Sequence, residues 1–168
     1  MTVLQIVPVD GGLADVLTAW ESRVLSIAKA YTAIVADFHM IEARRFNAEG
    51  PGWEPLAGPT VADRERLGYG GEHPILVRTD RLALSLTRSE GAESGDSVFR
   101  VEPDGFFVGT AVPYAHWHQT GGTTEDRPPK RQLVEISEPD KVRWMSILGR
   151  YLAHGALDVV VTSPAGPR

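Results

Sequence analysis

Residues 13–46 read LADVLTAWESRVLSIAKAYTAIVADFHMIEARRF. Leu13, Val16, Leu17, Trp20, Val24, Ile27, Tyr31, Ile34, Val35, Phe38 and Ile41 recur at spacings of three and four, the period of an α-helix. No Pro or Gly interrupts them, so the spacing predicts one helix of about 34 residues, about 50 Å long at 1.5 Å per residue. The charged positions Glu21, Arg23, Lys29, Asp37, Glu42, Arg44 and Arg45 fall mostly off the stripe, and Ala28, Ala30 and Ala33 widen it. A stripe this long exceeds what one small core covers, so part of it is expected to pack on another subunit. A break near Ala30 would leave the same pattern.

Outward from this stretch the elements are shorter. Residues 3–9 read as a strand or extended arm, ended by Asp10, Gly11 and Gly12. Residues 47–74 form a turn-rich connector anchored by Trp53 and Leu56, with Pro59 and Thr60 starting a helical turn and Thr60 as its N-cap. Ile75 to Val77 with Leu82, Leu84 and Leu86 fit an extended or a helical segment equally. Residues 89–96 are a polar loop. Val98–Val101 and Phe106–Val108 flank Asp104-Gly105, a tight hairpin turn. Leu133–Ile136 reads as a further strand. A last helix begins near Glu138 with Pro139 in its first turn, carries Val142, Met145, Leu148 and Leu152 on one face, and ends at His154 and Gly155. The expected architecture is one α+β domain over residues 1–168, a long N-terminal helix packed on a small antiparallel β-sheet with a C-terminal helix. Residues 1–12 form an extended arm, 13–155 the core and 156–168 an extended tail. Both termini are free to add strands to this sheet or a neighbour's.

The 168 residues suffice to bury about two-thirds of the unfolded surface. With 42% hydrophobic and 23% charged residues the composition is globular, and no apolar run approaches the roughly 20 residues of a membrane span. The first residues (MTVLQIVPVDGG) lack the basic and small-residue features of a signal peptide. The absence of cysteine excludes disulfides, Cys-ligated zinc and thiol catalysis, and a soluble protein of a reducing cytoplasm is expected. A net charge of −5 argues against a sequence-reading nucleic-acid binder but leaves open an acidic surface past which nucleic acid slides without sticking.

Chemistry, if present, would centre on residues 113–133, PYAHWHQTGGTTEDRPPKRQL. On a strand, His116 and His118 would face one side as metal ligands, with Glu125, Asp126 or His73 completing a site. That would make a metal-dependent hydrolase. The plainer reading is that Tyr114 and a histidine bond the local turn while Trp117 packs inward, with no metal and no cofactor. No nucleophile elbow surrounds Ser85, Ser89 or Ser97, and Gly68, Gly70 and Gly71 are not followed by the Lys-Ser/Thr of a phosphate loop. No catalytic set emerges, and a non-enzymatic protein is expected.

The order of the short motifs resembles the virion morphogenesis or tail completion family of tailed bacteriophages, which includes the Mu-type proteins. The resemblance spans residues 13–153. It is carried by Trp53, Pro55, Leu56 and Thr60; by Ile75, Leu76, Thr79, Leu82 and Ser85; by Tyr114, Ala115, His118, Gln119 and Gly121; and by Pro129, Arg131 and Leu133. Asp80 stands where that family usually has Gly, and Leu133 where an aromatic is common. The Asp puts the local backbone in question, because Gly makes such a turn permissive.

What the resemblance implies is a structural protein of the phage neck or upper tail. It would assemble in the host cytoplasm as a homo-oligomeric ring, hexameric by the symmetry of such tails. Its expected partners are a tail terminator or tail tube protein and head-completion or connector proteins, with genomic DNA passing through the lumen unbound and no membrane contact. In that setting Tyr114 and Trp117 anchor a loop, 119–130, that reaches a neighbouring ring. His118, Gln119, Gly121, Gly122 and Arg131 belong to the same interaction set. Trp53, Pro55, Leu56, Thr60, Leu76, Thr79 and Leu82 are expected to be structural.

Overall fold

The computed structural model describes residues 12–70, 74–88, 95–102, 105–122 and 128–155. The arm up to residue 11, the tail from 156, and Asp104 at the hairpin lie outside them. The chain runs α1 (Gly12–Leu25), α2 (Ala28–Asn47), α3 (Gly58–Arg66), α4 (Arg81–Thr87), β1 (Ser97–Glu102), β2 (Gly105–Thr110), α5 (Ala115–Thr120) and α6 (Glu138–His154). The architecture is mostly helical around one antiparallel pair, with β1 and β2 in register from Ser97 opposite Thr110 to Glu102 opposite Gly105.

The expected single N-terminal helix is two helices, bent by 53°. The break falls at Ser26 and Ile27, just before the Ala30 position the pattern allowed. Ser26 is its local cause: its hydroxyl bonds back to the Ser22 carbonyl (2.8 Å), a habit that bends helices. The bend is then held from outside. The Tyr151 hydroxyl lies 2.7 Å from Ser26 Oγ and donates to the Ser26 carbonyl at 3.0 Å. Arg23 Nη1 donates to the carbonyls of Leu152 and Ala153, placing a cation on the negative end of α6. α1 is therefore fixed on α6 while burying none of its own residues.

α2 is the spine. Nearly every residue from Ala33 to His39 is buried, which fits a helix enclosed on all sides rather than one with a single stripe. Phe38 and Phe46 join Trp53, Ile75, Leu82, Leu86, Val112, Ala115 and Leu133 in the main core. Tyr31 packs on Phe106 of β2, ring centroids 5.3 Å apart. The ambiguous segment after Val77 resolves as helix α4, so Leu82 and Leu86 share a face and are both buried. Ser85 beside them donates to the Leu82 carbonyl and meets Thr110 Oγ1 at 2.7 Å, tying α4 to the end of β2.

α6 starts at Glu138, with Pro139 in its first turn, and ends at Gly155, as its sequence predicts; Ser137 and Asp140 add a reciprocal capping box. Its buried face differs from the one expected. Val142 and Met145 are 68% and 67% exposed; Leu148 does pack inward, together with Trp144, Ile147 and Tyr151. Polar contacts fix this rotation: Trp144 Nε1 and Arg143 Nε both donate to Asp37 Oδ2, at 2.7 and 2.8 Å. Among the described residues no single helix is long and apolar enough to cross a membrane.

Candidate functional site

The motif segments, distant in sequence, converge on one side of the molecule. Trp53 packs edge-on to Phe46 and donates through Nε1 to the Gln132 carbonyl, 3.1 Å away. It stacks so closely over the preceding turn that a Cβ at Gly50 (φ +72°) would collide with the indole. The buried Arg131 guanidinium reaches back along the same path. Its Nε and Nη2 donate to the Glu54 carbonyl at 3.1 and 2.9 Å, and Nη2 also to Pro55. The WEPL and KRQL segments are thus cross-tied by a Trp and an Arg.

Gln119 makes the second tie. Its Oε1 accepts from the amides of Leu133 and Val134 (2.8 and 3.0 Å), and its Nε2 donates to the Val134 carbonyl (2.9 Å). This explains why the expected strand 133–136 is not one: a side-chain amide takes the place of a partner strand. Next to it the Arg131 amide donates to the His118 carbonyl. Gly121, at φ +73°, lets Lys130 pass, since a Cβ there would lie 2.8 Å from Lys130 Cβ. Gly122 is exposed beyond it, and loop residues 123–127 lie outside the described residues.

Seven further motif residues line a cleft of about 460 Å³ between α3, α4 and α5. Leu56, Leu76 and Leu82 give it an apolar wall, and Thr60, Thr79, Tyr114 and His118 a polar one. Thr60 is not the N-cap expected of it. α3 begins two residues earlier, at Gly58, which leaves Thr60 inside the first turn. Leu76 holds φ +62°, an unusual conformation for so bulky a residue.

Three arginines complete the lining. Arg81 forks onto Asp96 at 2.5 and 2.8 Å, and that contact raises its pKa. Arg64 is buried, donates to the Pro74 carbonyl at 3.0 Å, and is pushed down by burial and by the charge of Arg78. Arg78 is exposed and makes no ion pair or hydrogen bond among the described residues. Burial, and then the charge of Arg131, hold His118 below its usual pKa. Its Nδ1 is buried without a hydrogen-bond partner among the described residues.

The metal-hydrolase alternative loses its premise here. His116 and His118 sit on helix α5, not on a strand, and two residues on a helix point about 200° apart. His116 donates through Nδ1 to the Pro113 carbonyl (2.7 Å) and lies against the half-buried Trp117, while His118 meets Tyr114 edge-on at 6.3 Å. Among the described residues no three His, Asp or Glu side chains are grouped to hold a metal ion. His73, Glu125 and Asp126 lie outside the described residues.

Sequence reasoning missed the buried polar groups of α2. Asp37, His39 and Glu42 are all buried, the last completely, although the charged positions were expected off the stripe. His39 Nδ1 donates to the Leu86 carbonyl at 2.7 Å. The available signal was their interleaving with Ile34, Val35 and Phe38, which leaves no polar face along that part of α2.

A sequence profile of the phage virion morphogenesis family matches residues 12–153, from the start of α1 almost to the end of α6. The chain belongs to the phage virion morphogenesis family. No curated protein and no solved structure matched it. Proteins of the virion morphogenesis family are structural and generally not enzymes, and membership associates this chain with the virion. The family match spans the cross-ties and the cleft lining together.

Proposed function

We propose that the chain is a structural protein of the phage neck or upper tail, which completes the tail or joins it to the head by forming a homo-oligomeric ring. One observation carries this reading. α1 presents Leu13, Val16, Leu17, Trp20, Val24 and Leu25 at 46–82% exposure, and it is held in place by Arg23 and Ser26 rather than by burial of its own. Covering those side chains is worth on the order of 10 kcal/mol, enough to drive subunit association. In a six-fold ring α1 packs on the neighbouring subunit, and loop 119–130 reaches an adjacent ring from a base set by Gln119, Gly121 and Arg131. The partners are a tail terminator or tail tube protein on one side and a head connector on the other. The net charge of −5 supports a lumen along which DNA moves without sticking.

The test is electron microscopy of lysates from a phage whose copy of this chain is silenced. Filled heads and separate tails, unjoined or with unfinished tail ends, are expected. Intact infectious particles in normal number would refute the role.

A further inference from the structure

The cleft between α3, α4 and α5 holds more polar capacity than the fold uses. Thr60, Thr79 and Tyr114 are exposed and their hydroxyls bond no described residue, while the buried His118 Nδ1 also lacks a partner among them. The charges of the lining are unequally answered. Arg81 is matched by Asp96, and Asp63 by Arg66 at 2.5 Å, whereas Arg78 meets no carboxylate among the described residues. Arg64, which lines the same cleft, is pushed down first by burial and then by the charge of Arg78.

From this geometry we infer that the cleft is a socket for an acidic side chain of a partner protein, with an apolar neighbour of that side chain seated on the half-buried Leu56 and Leu76. Arg78 meets the carboxylate with a charge-assisted hydrogen bond, and the Thr60 and Thr79 hydroxyls complete its coordination. At about 460 Å³ the space lies at the small end of ligand sites, suited to a few side chains rather than a folded surface. A nucleic-acid phosphate is a poorer match. Useful affinity for DNA needs several phosphates neutralised together, and this cleft offers one unmatched arginine beside an apolar wall.

This inference stands on the cleft and does not require a ring. The experiment is a two-dimensional amide NMR titration of the full chain with acetyl-Leu-Glu-Leu-amide, with its Gln counterpart, with inorganic phosphate and with a short single-stranded oligonucleotide. Saturable shifts are expected at Thr60, Arg78, Thr79, Tyr114 and His118 with the Glu peptide only, weakened about tenfold or more by Arg78→Gln. Arg78 is exposed, so that variant keeps the fold, and the amide spectrum itself verifies this. No shifts in the cleft, equal shifts with the Gln peptide, or unchanged binding in R78Q would overturn the proposal. Equal or tighter binding of phosphate or the oligonucleotide at the same residues would replace it with a general anion or nucleic-acid site. The native mass of the R78Q protein, measured in parallel, separates failure of this socket from failure of ring assembly.

Discussion

Glu42 is fully buried on α2, and its carboxylate has no hydrogen-bond partner among the described residues. Arg45 Nε is 3.3 Å away, close enough for attraction but without hydrogen-bond geometry. Burial outweighs that attraction, and Asp140 adds repulsion, so the pKa is pushed from its ordinary 4.5 up to about 7. Between these two values the folded state binds more protons than the unfolded one. Stability contributed by Glu42 is therefore full below pH 4.5 and falls as pH rises towards 7, by on the order of 3 kcal/mol. The depressed pKa of His39 acts with the opposite sign, so the comparison is between wild type and Glu42→Gln. Urea denaturation from pH 4.5 to 8 is expected to show the variant gaining stability relative to wild type as pH rises. Asp80 gives a second residue-scale prediction. It holds φ +56°, where glycine is at ease and other residues are strained, at the position where the resembled family usually carries Gly. Asp80→Gly is expected to stabilise the protein by up to about 1 kcal/mol, against the usual sign of a Gly substitution, measured as a rise in urea midpoint.

At the scale of elements, what joins the pieces is mostly side chain to backbone. Gln119 stands in for a β-partner of residues 133–134, and Gln119→Ala leaves two amides and a carbonyl there without their partners. A loss of about 2–3 kcal/mol is expected in equilibrium unfolding, with faster hydrogen exchange at Leu133 and Val134. α6 is set on α2 through Asp37, and a double-mutant cycle of Asp37→Ala with Trp144→Phe should return a coupling of about 1 kcal/mol. A coupling near zero would mean that packing alone orients α6. These same contacts separate what the sequence made legible from what it did not. The hairpin, the Pro-led start and glycine end of α6, and Trp53 and Leu56 as apolar anchors followed from local chemistry. The rotation of α6, the missing strand at 133–136 and the buried acids of α2 depend on partners far away in sequence. Periodicity carries no information about those partners. The cleft was legible only as a set of motif residues; that Leu56, Thr60, Thr79 and His118 line one cleft is a product of the tertiary fold.

At the scale of the molecule, the long apolar stripe divides at Ser26 into two fates. Beyond the break it forms the core, and before it α1 stands on α6 with its large apolar side chains in water. Singly exposed apolar residues are ordinary, but a fixed helix carrying six of them is the feature on which the proposed ring assembly rests. In the proposed ring, the acidic net charge would give DNA a lumen it passes without sticking. The native mass of the purified full chain across a concentration series, compared with Leu17→Glu/Val24→Glu, tests this most directly. A ring-sized oligomer near six copies, unaffected by chelator and reduced to monomer in the variant with an unchanged helical signal, is the predicted result. A monomer at every concentration, or an oligomer that survives both substitutions, would contradict the assignment of α1 as the assembly face.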